Sequence, residues 1–174
     1  MGFGKAVLFS LIAFVGLNFI FTIIYYAFGA GFTDLFNTIQ NDPLIILYYL
    51  FGSIICVPYK IFDWTIAQPF LSSNMTYLVL GLGYLAAPII AAILAGRFGE
   101  SKGQCFGGWL LTVVISTVSV LIGALLSTTL QSTLFTTYGW GSFNEILIYS
   151  IIFCVINIVF YGFFVLLLSK TEYY

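Results

Sequence analysis

Residues 42–71 read "DPLIILYYLFGSIICVPYKIFDWTIAQPFL", an apolar run broken by Pro58 and Pro69 and by the charges of Lys60 and Asp63. Asp42 before Pro43 is a helix start, a capping residue followed by one suited to the first helical position. A helix from Pro43 meets Pro58 after about fifteen residues, roughly 22 Å of rise. That falls short of the roughly 30 Å hydrocarbon layer of a bilayer. The stretch 43–57 is therefore expected to be a shorter hydrophobic helix, kinked or re-entrant. Residues 60–71, which mix aromatic and polar side chains, are expected to lie in the interface.

On either side of this stretch the sequence is simpler. Four uncharged segments, about 6–30, 75–94, 106–130 and 146–169, are long enough to cross as helices. The first exceeds a signal-peptide core of about 7–15 residues and reads as a retained span. Gly2 starts no myristoylation motif, since Ala6 stands where a Ser or Thr is needed. The chain is 61% hydrophobic and 6% charged, and its mean hydropathy is +1.12. Soluble domains carry about 25% charged residues. The fold class is accordingly an all-α integral membrane protein. It is one transmembrane domain over residues 1–174, four long helices plus the shorter fifth, solvated by the lipid bilayer.

Charge placement sets the number of crossings and the orientation. If 43–57 crosses fully, Lys5 and Lys60 face Arg97, Lys102 and Lys170, which gives no bias. If it does not, Lys5, Arg97, Lys102 and Lys170 share one side. Lys60 then stands opposite with Asp34, Asp42, Asp63 and Glu145. Basic residues favour the cytoplasmic side. The four-span reading follows, with both termini cytoplasmic and the cell (plasma) membrane as location.

Residues 95–104, "AGRFGESKGQ", then form a tight cytoplasmic turn. Gly96, Gly99 and Gly103 allow the reversal, and Arg97, Glu100 and Lys102 anchor it in headgroups. The same three charges are a candidate docking surface for a cytoplasmic partner. Trp64, Trp109, Trp140, Tyr173 and Tyr174 sit where aromatic belts form. Asn74–Met75–Thr76 matches a glycosylation sequon on the opposite side. Lys60 and Asp63, three residues apart, suit an interfacial ion pair.

Small residues recur at helical spacing. Gly83, Ala87, Ala91 and Ala95 mark one face, and Cys105, Gly108, Thr112, Ser116, Ser119, Gly123 and Ser127 mark another. In lipid, close backbone approach and interhelical hydrogen bonds drive helix association. The two faces are expected to pack together as an antiparallel hairpin. The alternative reading makes the hydroxyl stripe the lining of a conduit or small-ligand site. Asn18 and Asn157 lie near the middle of the first and last spans. Both are expected to point into the bundle and bond to each other or to Ser116 and Ser119.

Other chemistry is thinly supplied. There is no histidine, and Cys56, Cys105 and Cys154 stand apart, so neither a metal site nor another cofactor is expected. "GLGYLAAP" (81–88) follows no strand and is no phosphate loop. No basic cluster suggests nucleic acid. No span carries an ionisable residue, which disfavours a pump or proton-coupled carrier. The functional expectation is a non-catalytic integral membrane subunit packing against itself or partner membrane proteins. A transport or channel component is the alternative, and a lipid-modifying membrane enzyme stands third.

Overall fold

The computed structural model describes residues 2–29, 31–73 and 75–169. Among them the chain is helical and without strands. It runs α1 (Gly2–Phe28), α2 (Phe32–Asn41) and α3 (Ile45–Phe51), which tightens into a 3₁₀ turn at Gly52–Ile55. After a break come α4 (Pro58–Phe62), a π turn (Asp63–Ala67) and α5 (Gln68–Leu71). Then follow α6 (Thr76–Phe98), α7 (Lys102–Leu126), α8 (Thr128–Tyr138) and α9 (Phe143–Leu168). Helices α1, α6, α7 and α9 are each long and apolar enough to cross a membrane.

Helix limits follow local capping. Ser101 Oγ accepts from the Gln104 amide at 3.3 Å, and the Gln104 side chain accepts from the Glu100 amide at 3.2 Å. This reciprocal cap starts α7 four residues before the predicted 106. Ser142 and Glu145 repeat the device at the start of α9, where Glu145 accepts from the Gly141 amide at 2.9 Å. Ser127 ends α7 with extended backbone, so the span stops at Leu126 rather than 130. The same residue caps α8 by accepting from Leu130 N at 2.8 Å, and its hydroxyl donates to Asp42 Oδ2. That bond holds the Asp42 carboxyl below its ordinary pKa and ties the α2–α3 corner to the α7–α8 corner.

The proline-broken stretch forms a V. Ile45–Ile55 and Pro58–Leu71 meet at an axial bend of 98°. Val57 is extended, as a residue before proline prefers, and Pro58 opens the second limb. Both outer ends of the V lie at one end of the bundle. Asp42 meets Ser127 there, and residues 72–75 connect Leu71 to the start of α6, beside Gly29 at the end of α1. The stretch 60–71 belongs to the return limb, packed on α6 with Trp64 and Pro69 buried. Gly2 lies against Glu100 and Gln104, and Gly96 lies against Val165 and Leu168. The 99–101 turn, the start of α1 and the end of α9 therefore share the other end. Ala30, the Asn74 sequon, Lys170, Tyr173 and Tyr174 lie outside the described residues.

Helices α6 and α7 contact each other, but neither packs chiefly on the other. The most extensive helix contact is α1 with α6, and α7 packs chiefly on α9 and α1. A Cβ on Gly83 would meet Phe21 of α1, and one on Gly108 would meet Ala6 of α1. A short turn fixes two helices only at one end, and here the smallest residues admit a third helix. Ala87 and Ala91 are fully buried.

Two outcomes test this architecture. Gly83→Ala forces a methyl into Phe21, and overpacking of this kind costs about 1–3 kcal/mol. Gly16→Ala, with nothing within 4 Å of the added carbon, is expected to stabilise by about 0.5–1 kcal/mol. Melting in detergent ranks the two, and equal melting points would remove Gly83 from the helix crossing. In a cysteine-free background in intact cells, Asn37→Cys and Ser72→Cys should label from the same side with an impermeant thiol reagent. Labelling from opposite sides would mean that the V crosses fully.

Candidate functional site

The return limb of the V is two-faced. Lys60, Asp63, Trp64 and Gln68 look into one cavity, whereas Pro58, Ile61, Phe62 and Thr65 look into another. That spacing is helical, and the π turn at Asp63–Ala67 widens the limb where the faces divide.

The first cavity is a chamber of about 380 Å³, within the size range of small-molecule sites. Its wall is a circuit of aromatic rings from four elements, α1, α3, the π turn and α6. Tyr48 neighbours Tyr49 at 6.3 Å between centroids, Tyr49 neighbours Tyr26 at 5.8 Å, and Tyr26 neighbours Tyr25 at 5.4 Å. The path continues from Tyr25 to Tyr77 at 5.8 Å, to Trp64 at 6.4 Å and to Tyr84 at 5.4 Å. Its two ends converge over Gly52, where an added Cβ would strike both the Tyr84 hydroxyl and the Tyr48 ring. Gly52 thus lets the circuit close.

Charge enters the chamber from the limb alone. Lys60 Nζ lies 3.6 Å from Asp63 Oδ2, both side chains about a quarter exposed. Gln68 Nε2 donates to Asp63 Oδ1 at 3.3 Å. A partly solvated pair of this kind contributes about 0–1 kcal/mol, so a ligand can take either partner at small cost. Threonines complete the lining: Thr22 from α1, Thr38 from α2, and Thr133, Thr136 and Thr137 from one face of α8.

The second cavity is an apolar groove of about 470 Å³ between the limb, α6 and α9. Phe153, Ile156 and Phe160 form its α9 wall, and Tyr84 belongs to both cavities. Asn157 sits at its floor and holds the tip of the V. Its Nδ2 donates to Ile54 O at 2.9 Å and to Phe153 O at 2.7 Å. The Asn157 backbone carbonyl accepts from Trp109 Nε1 at 3.1 Å.

The residues singled out from sequence are dispersed. Asn18 and Asn157 are both buried, but they bond to neither each other nor the serines. Asn18 Nδ2 donates to Phe14 O at 2.8 Å, and its Oδ1 has no partner among the described residues. Thr112 and Ser116 donate to the carbonyls four residues back at 3.0 and 2.7 Å, so their protons are spent within α7. Thr112, Ser116 and the half-buried Ser119 line neither cavity. Arg97, Glu100 and Lys102 are exposed at the opposite end of the bundle. The tryptophans do not form an edge belt: Trp64, Trp109 and Trp140 are all buried. Among the described residues no metal-binding cluster occurs.

Sequence reasoning passed over the tyrosines. Their signal in the sequence is the doublets at 25–26 and 48–49. Comparison with protein-family models, curated protein sequences and solved structures gives no significant match.

The two asparagines can be separated experimentally. Asn157→Leu leaves the Ile54 carbonyl without its donor, and an orphaned buried acceptor costs about 1–3 kcal/mol. Asn18→Leu removes only a bond within α1 and an already unpaired oxygen, so it should cost less. Thermal melts in detergent are expected to place Asn157→Leu well below Asn18→Leu; the reverse order would deny Asn157 its role at the tip.

Proposed function

We propose that this chain is an integral membrane protein that captures a small solute in the aromatic chamber, as a transport or channel component. The carrying observation is the V whose return limb presents Lys60, Asp63, Trp64 and Gln68 to that chamber. Broken backbone at membrane depth is tolerated where it is buried in protein or lines a cavity, and interrupted helices commonly build transporter binding sites. On this reading the V is re-entrant. The 99–101 turn and both termini lie in the cytoplasm by the basic-residue rule, and the chamber faces the opposite side. The protein acts by binding, at the plasma membrane. The site proposed is the chamber rather than the hydroxyl stripe of α7.

A second reading is an assembly subunit in a membrane protein complex or homo-oligomer. Its support is α9, the most apolar of the four long helices and the least buried. Arg97, Glu100 and Lys102 would then serve a cytoplasmic partner. Lipid covers such a face equally well, so solute capture is preferred.

A ligand that binds only the folded state raises its melting temperature. Purified protein in mild detergent is expected to melt several degrees higher with at least one class from a panel of sugars, amino acids, nucleosides and organic cations. Thr137→Trp, which fills the chamber, should abolish that shift. No shift with any class, or a shift that survives Thr137→Trp, would overturn solute capture at this site.

A further inference from the structure

The chamber's chemistry narrows the class of solute. We infer that its ligand is an organic cation of the quaternary-ammonium type, held by the aromatic circuit with Asp63 as counter-charge; this rests on the solute-capture reading above.

The first argument is the balance of donors and acceptors. Thr38, Thr133 and Thr136 each donate to a carbonyl four residues back in their own helix, at 2.7, 2.9 and 2.8 Å. Thr22 donates to Tyr49 O at 3.4 Å. The hydroxyls of Tyr26 and Tyr49 pair at 2.9 Å. With these protons engaged, the threonine oxygens offer mainly lone pairs to the chamber. A neutral sugar needs donors as well as acceptors. The lone pairs of these four threonines favour a positive charge, while the donors of the lining are Lys60, Gln68 and tyrosine hydroxyls.

The second argument is the rings. Indole and phenol faces carry negative potential and attract cations within about 6 Å of their centres. Trp64 meets Tyr84 at 78°, and Tyr25 meets Tyr26 at 89°. The lining thus holds rings in more than one orientation, from which a cage can be built.

The third argument is hardness. Asp63 is the single carboxylate in the lining and is already paired with Lys60, so the lining has no net charge. A metal ion or primary ammonium loses a large hydration energy on entry and needs several anionic or neutral oxygens in return. A quaternary ammonium, with its charge spread over methyl groups, needs the cage and one nearby carboxylate. Lys60, released from Asp63, can then meet an anionic group on a zwitterion.

Choline and glycine betaine, with 3,3-dimethylbutan-1-ol as the uncharged isostere of choline, test this by calorimetric titration of the full chain in detergent. Choline is expected to bind at least tenfold more tightly than the isostere. Tyr77→Leu and the milder Asp63→Asn should each weaken choline at least tenfold, while the melting point without ligand marks any loss of fold. Equal affinity for choline and its isostere would overturn the inference, as would affinity unchanged by Asp63→Asn. Binding of sugars or amino acids without choline or betaine would overturn the cation and leave solute capture standing. Silence from every class would overturn both.

Discussion

A helix that stops inside a protein leaves carbonyl oxygens unanswered, and the V stops at Ile54–Ile55. The donor that meets this need is the Asn157 amide, from a position near the middle of α9. Both of its protons are used, one on the V and one on its own helix at Phe153. Trp109 in turn engages the Asn157 backbone carbonyl, so α7, α9 and the V share one junction. Without that junction the Ile54 carbonyl has no side-chain donor among the described residues, and the V loses its tie to α9. The chamber and the groove then lose the wall they share.

The outer end of the fold is set by a second polar contact. Ser127 ends α7, starts α8 and bonds to Asp42. One serine thereby turns the chain across the end of the bundle and brings the threonine face of α8 over the chamber. The Asp42 corner supplies α3 with its tyrosines on the opposing side. Two small polar contacts, one at mid-depth and one at the rim, position an otherwise apolar scaffold around a polar space.

Much of this architecture is legible in the sequence. The uncharged runs locate α1, α6, α7 and α9 to within a few residues, and Pro58 locates the bend. At α7 and α9 the errors at the ends come from serine caps: Ser101, Ser127 and Ser142 override hydropathy in deciding where these helices begin or stop. Helix α8 was hidden because "TTLQSTLFTTY" is neither apolar enough to read as a span nor rich in strong helix formers. The asparagines stand out as midspan amides, but their partners do not. The α7 hydroxyls satisfy themselves on their own helix, and the Asn157 acceptor lies 103 residues away in an irregular turn. The chamber is least legible of all. Its rings come from four elements, and no local period in the sequence records that they meet.

The Asn157–Ile54 bond also bears on biosynthesis. The chain is made from its amino terminus, so the V emerges long before the residue that satisfies its tip. The intervening residues include all of α6, α7 and α8. Until α9 is made, the Ile54 carbonyl lacks the donor that meets it in the fold, and an unpaired buried carbonyl is expensive. Helix α9 therefore acts as the closing piece, and the chamber is completed only after the V has been made.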